Sequence, residues 1–287
     1  MARPYRRPDA WPRKAPAILQ DITQTLQVTW TPHVFIELND EIPAYLTKAW
    51  DQLSSVARTA QFLDLARQIE TYAVSEVQAS YLPGYRIGPL QQLSLSRSDA
   101  AEIRTAFSAL LFGWSQTFLL AEALRLALAG QKVGQTGIVT WTREATTWNQ
   151  AIIPTADVTG TGEVVRNVLA EARQSLGLGE PPEVLLVIGQ WPRYLRLAWD
   201  DLKATVQSPV FAALRGQLIE QARQFSTRLP GDVVLDQTRL RATNFNPIQI
   251  QRVREILERW VFRLPTEITL GAGFREALQS DGAAPAV

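Results

Sequence analysis

One stretch of this chain occurs twice. Ile-Pro-Ala-Tyr-Leu-Thr-Lys-Ala-Trp-Asp-Gln-Leu at residues 42–53 returns as Trp-Pro-Arg-Tyr-Leu-Arg-Leu-Ala-Trp-Asp-Asp-Leu at residues 191–202. At the constant offset of 149 that carries Pro43 onto Pro192, Tyr45, Leu46, Ala49, Trp50, Asp51 and Leu53 also find their counterparts. The same offset carries Phe62 onto Phe211, Leu65 onto Leu214 and Ala73 onto Ala222, so the likeness spans two successive elements. A duplicated chain packs most simply as two like halves about a pseudo-two-fold axis, and a pocket lined by both halves is the natural place for a site.

The apolar spacing is helical almost throughout. Ile18, Leu19, Ile22 and Leu26 lie three or four apart, as do Leu46, Ala49, Trp50 and Leu53 on the first repeated helix and Phe62, Leu65, Ile69 and Tyr72 on its successor. Thr31-Pro32 is expected to cap a short helix from His33, and Pro181-Pro182 to open a short apolar one through Ile188. Ser98, with Asp99 and Glu102 behind it, is expected to cap a long helix that Gly130 closes, and Asn246-Pro247 the last long one. The expected fold is all-α: two tandem helical repeats packed as a pseudo-two-fold dimer with an interface pocket. Its expected parts are a basic Pro-rich tail (1–16), repeat 1 (17–130), a crossover linker (131–162), repeat 2 (163–280) and a C-terminal tail (281–287).

A formal charge of +1 gives no reason to expect nucleic acid as a partner. With no cysteine there is neither a disulfide nor a thiolate, which suits a reducing compartment, and a cytoplasmic setting is expected. The apolar runs are short, or broken by charges such as Glu122 and Arg125, so no membrane partner is expected.

The Trp191-Pro192 helix, Val28 with Trp30, Ile87-Gly88-Pro89-Leu90, Phe112-Gly113 with Leu119-Leu120, and Leu229-Pro230-Gly231 occur in one order across residues 18–280. In that order and spacing the chain resembles the group I 2-haloacid dehalogenases, the family of D,L-haloacid dehalogenase I. The resemblance implies cofactor-independent hydrolysis of short 2-halocarboxylates by an activated water that attacks C2 directly, with an aspartate as base and an asparagine holding the water. Counted from the shared motifs, the aspartate's position holds Val184, the asparagine's Trp114 and an aromatic alcohol's Trp260, while the pocket tryptophan is retained as Trp30.

Two side chains remain as candidate catalysts. His33 is the only histidine, on the short helix that the resemblance places beside the pocket, with Glu37 one turn on as a group that could orient it. Glu183 adjoins Val184 and is read either as a displaced base or, with more weight, as a first-turn carboxylate facing solvent and the helix dipole. Trp30, Phe35, Trp114, Val184 and Trp260 are the candidate substrate-binding residues, either lining an apolar cavity or filling it as core. A lone histidine offers no metal site. Two functions follow: a haloacid-dehalogenase-like hydrolase acting on a small organic acid, or a non-dehalogenating relative that binds an apolar small molecule or a protein partner. Whether the chain forms homo-oligomers is left open.

Overall fold

Proline sets where the repeated helices begin, because its fixed φ suits a first turn and its missing N–H is not needed there. In the computed structural model, which describes residues 16–80, 95–135, 153 and 162–278, those two helices are Pro43–Ala57 and Pro192–Val206, one offset apart at both ends. Among the described residues the regular structure is helical, in eleven segments. They are α1 (Ala17–Leu26), α2 (His33–Glu41), α3 (Pro43–Ala57), α4 (Ala60–Ser80), α5 (Arg97–Leu128), α6 (Glu163–Leu176), α7 (Glu183–Val187), α8 (Pro192–Val206), α9 (Pro209–Ser226), α10 (Gln237–Ala242) and α11 (Pro247–Ala277). The two tails, the Gly88-Pro89 connection and nearly all of the 136–161 stretch lie outside the described residues.

The long helices α5 and α11 pack on each other at the centre, and α4 and α9 flank both. From Leu110 to Leu124 every residue of α5 is buried. Its most apolar stretch is long enough to cross a membrane by length and composition alone, but 89% of that stretch is covered by the rest of the fold. That coverage is what a core helix needs, and its one deep charge, Glu122, is paired with Arg125 at 2.6 Å.

Several caps differ in detail from expectation. The long helix α5 starts two residues early, on Ser96 and not Ser98, because Ser96 and Asp99 exchange side-chain-to-backbone bonds in a capping box that Ser98 cannot make with Asp99 beside it. Pro32, not Thr31, precedes the first turn of α2, with no side-chain cap. The cap at Asn246 is as expected, Ser208 caps α9, and α10, capped by Asp236, is an additional short helix.

The first residues after α5 are tied to the second half by an isolated bridge between Gln135 and Pro230. Gly134 is required there twice over: its φ is +84°, and an added Cβ would fall 1.8 Å from the Gly231 carbonyl oxygen.

The two repeated tryptophans are both core residues, but only one is satisfied. Trp50 Nε1 donates to Asp21 at 2.6 Å, whereas the position one offset from Asp21 is Ala170, and Trp199 Nε1 is buried with no partner among the described residues. A buried unpaired donor costs about 1–3 kcal/mol. Trp199→Phe is therefore expected to cost about 1–2 kcal/mol less than Trp50→Phe, as urea unfolding of the two variants would measure.

Candidate active site

Each half contributes one short helix that begins directly after a proline, and the first residues of the two helices meet. His33 opens α2 after Pro32 and Glu183 opens α7 after Pro182. His33 Nδ1 lies 2.6 Å from Glu183 Oε1. The histidine keeps 21% of its side-chain surface and the glutamate 11%, so the pair sits at the edge of the interior and not on the surface. This overturns the solvent-facing reading of Glu183. Val184 to Ile188 are all buried, so the short helix has no wet face for its first side chain to turn to.

The tryptophans close around this pair. Trp114 Nε1 donates to Glu183 Oε2 at 3.3 Å, and the Trp260 ring lies parallel to the His33 imidazole with centroids 6.2 Å apart. Trp260 Nε1 donates in turn to Glu37 Oε2 at 2.9 Å, and Arg259 also pairs with Glu37. The carboxylate that faces His33 Nδ1 is thus that of Glu183, while Glu37 holds the ring stacked on the imidazole. Gly271, one of the two glycines in the Gly-Ala-Gly stretch, lets the Trp114 ring approach α11: a Cβ there would stand 3.0 Å from it.

Trp30 lies against Gly113, the residue before Trp114. Its Nε1 is buried and has no hydrogen-bond partner among the described residues. A Cβ on Gly113 would stand 2.6 Å from the Trp30 ring and 2.9 Å from a Val28 methyl, both stiff groups. Gly113→Ala is expected to cost about 1–3 kcal/mol and to push Trp30 from its seat, which a thermal melt with tryptophan emission as the readout would register.

Phe35 is not in this cluster. Two residues beyond His33 a helical side chain points the other way, and the Phe35 ring meets Trp50 edge-on at 6.1 Å, fully buried. Val184 is likewise fully buried and enters the site through its amide, which donates to Glu267 Oε2 at 3.1 Å. His33, Glu183, Trp114 and Trp260 are brought together with the Val184 amide beneath them, Trp30 packs on Gly113 next to Trp114, and Phe35 belongs to the core. A small apolar crevice elsewhere, lined among others by Val77, Leu202, Phe211, Leu214 and Thr269, contains none of the candidates.

Beneath the pair lies an ion pair that the sequence did not single out. Glu267 is fully buried and receives the Glu183 amide at 2.9 Å as well as that of Val184. Arg263, one turn earlier on α11, donates Nε to Glu267 at 3.0 Å and another nitrogen to the Pro181 carbonyl at 2.8 Å, and faces Glu180 at 3.4 Å. Its guanidinium also lies 5.0 Å from the Trp260 ring centroid. The available signal was an Arg and a Glu four apart in the otherwise uncharged run from Trp260 to Phe274.

The charges act on each other. Burial alone would lower His33, yet the facing carboxylate of Glu183 leaves it above its ordinary value of 6.5. Burial alone would raise Glu183, but His33, then Arg263 and the Trp114 N–H, hold it down at about 2. Burial and the charge of Glu183 push Glu267 up against the pull of Arg263 and two amides. The pair is chemically an imidazole whose Nδ1 faces a carboxylate, the arrangement that makes a histidine a stronger base. Among the described residues no three His, Asp or Glu groups converge as a metal ion would need.

A family model described as halocarboxylic acid dehydrogenase DehI matches residues 29–180, just over half of the chain. An (R)-2-haloacid dehalogenase from Rhizobium sp. (strain NHG3) is 27% identical over 192 residues, which cover 66% of this chain and 74% of that one. A D-2-haloacid dehalogenase mutant solved in complex with D-2-CPA shares the fold with a TM-score of 0.84 at 18% identity, over 92% of this chain and 93% of that one. A D-2-haloacid dehalogenase in complex with L-LA matches equally well, with a TM-score of 0.84 at 18% identity over 91% of each chain.

Proposed function

Since this chain belongs to the halocarboxylic acid dehydrogenase DehI family, we propose that it hydrolyses short 2-halocarboxylic acids with His33 as the base and Glu183 as the group that orients and charges it. The observation that carries this reading is the 2.6 Å contact between His33 Nδ1 and Glu183 Oε1, which joins the two halves next to the position where the family resemblance expects a carboxylate base. In the proposed step water oxygen bonds to C2 of the acid as the carbon–halogen bond breaks. The halogen leaves with the bonding pair as halide, and the water proton passes to Nε2, the one imidazole nitrogen not turned to Glu183. Trp30 Nε1, a buried donor without a partner among the described residues, is suited to the acid's carboxylate or to the departing halide.

The second reading rests on the other two tryptophans. Trp114 and Trp260 stand where the resemblance has an asparagine and an aromatic alcohol, and they spend their N–H groups on Glu183 and Glu37. That leaves no side-chain amide at this point to hold a water, which suits a protein that binds a small organic acid or an apolar molecule without turning it over.

One experiment separates the two. The purified chain is incubated with (R)- and (S)-2-chloropropionate, and chloride is measured alongside tryptophan emission. Chloride release that disappears in His33→Ala supports the hydrolase. A saturable emission change with no chloride from either enantiomer overturns it in favour of binding alone.

A further inference from the structure

The start of α7 is held from outside its own helix, and both groups that hold it come from α11. Glu267 receives the amides of Glu183 and Val184 on its two oxygens, and Arg263 ties Glu267 to the Pro181 carbonyl and faces Glu180. Four of the five residues from 180 to 184 are thereby fixed by two side chains one helical turn apart. The Arg263 guanidinium also lies over Trp260, whose ring is parallel to that of His33. We propose that Arg263 and Glu267 form a positioning clamp that keeps the Glu183 carboxylate against His33, so that the basicity of the histidine is set by two residues that do not touch it.

The inference deepens the reading given above and rests on it for its catalytic meaning, but the geometry has a consequence of its own. A carboxylate 2.6 Å from the ring nitrogen attracts the imidazolium strongly, and a small retreat of α7 would weaken that attraction. The guanidinium is a planar fork that reaches a carbonyl and a carboxylate together; an ammonium carries the same charge without that geometry. Position and charge can therefore be separated. The charged groups that act on His33 from neighbouring elements are Glu183 at the start of α7, Glu180 just before it, and Arg263 on α11.

His33 is the single histidine of the chain, so its imidazole proton resonances need no assignment. The test is an NMR titration of that side chain in the whole protein, in wild type and in Arg263→Lys and Glu267→Gln, each checked for wild-type helical circular dichroism. Arg263→Lys keeps the charge and breaks the fork. The expected result is a midpoint lower by about one pH unit, a roughly tenfold weaker hold on the proton. Glu267→Gln keeps the shape and is expected to lower the midpoint in the same direction. A folded Arg263→Lys protein that titrates at the wild-type midpoint overturns the clamp; should that variant not fold, an unchanged midpoint in Glu267→Gln does so. The midpoint is read without substrate, so it stands or falls separately from chloride release, which tests the proposed reaction.

Discussion

Glu183→Gln is expected to reduce halide release by on the order of 10²–10⁴-fold and to move the remaining activity to lower pH. The base must be neutral to take a proton, so wild-type activity should rise with pH through a midpoint above 6.5, where the facing carboxylate holds His33. Once that charge is gone, burial is the dominant influence left, and it favours the neutral ring; the midpoint should then fall below 6.5. Rate against pH from 5 to 9 for both proteins checks the sign as well as the size. The pair also shapes stability. His33 has a raised pKa when folded, so its contribution is complete below 6.5 and is lost as pH rises through the folded value. Glu183, held at about 2 from an ordinary 4.5, contributes fully above 4.5 and loses that contribution as pH falls toward 2. Both contributions coincide between about 4.5 and 6.5, and the melting temperature of wild type relative to Glu183→Gln should be highest there.

The second large effect concerns the buried ion pair. Glu267→Leu removes the nearest carboxylate of buried Arg263, leaving the half-exposed Glu180 at 3.4 Å and the more distant charge of Glu183, and strips two amides of α7 of their acceptor. Breaking a buried pair from one side costs about 3–5 kcal/mol, which for a chain of this size lowers the melting temperature by on the order of 10 °C. Replacing both members, Arg263→Met with Glu267→Leu, removes the orphaned charge and should recover part of that loss, although the amides stay unpaired. A double-mutant cycle by thermal melting measures the coupling. A double variant as unstable as the sum of the singles would show that the two side chains do not act together.

Much of this architecture was legible in the residues because prolines and caps punctuate it. Pro43, Pro192, Pro209 and Pro247 each stand at the first position of a helix, and the residues shared between the copies at Tyr45, Leu46, Ala49, Trp50 and Leu53 are all among those that α3 buries. The site was legible only as a set of names. His33, Glu183, Trp114 and Trp260 could each be singled out, but nothing in a linear chain says that residues 150 positions apart will touch. Treating Glu183 as an ordinary first-turn carboxylate followed from helix rules that assume a wet face, and α7 has none. Phe35 was counted among the substrate-binding candidates, but two residues of helical twist beyond His33 send its ring to Trp50 instead. Glu267 and Arg263 escaped notice because a charged residue in a long helix is normally solvated, and only the fold shows that this stretch of α11 is enclosed on all sides.

The clamp also imposes an order on assembly. During synthesis His33 and Glu183 emerge well before residues 263 and 267, so for that interval the acidic side chain has its imidazole partner but nothing to seat the backbone beneath it. The earlier helices cannot reach their final arrangement until the last long helix arrives, because it supplies both the inner surface for α5 and the two charges under α7. Contacts so distant along the chain make for slow folding, and a nascent protein of this kind spends its waiting time with the apolar flank of α5 uncovered, where chaperones would find it.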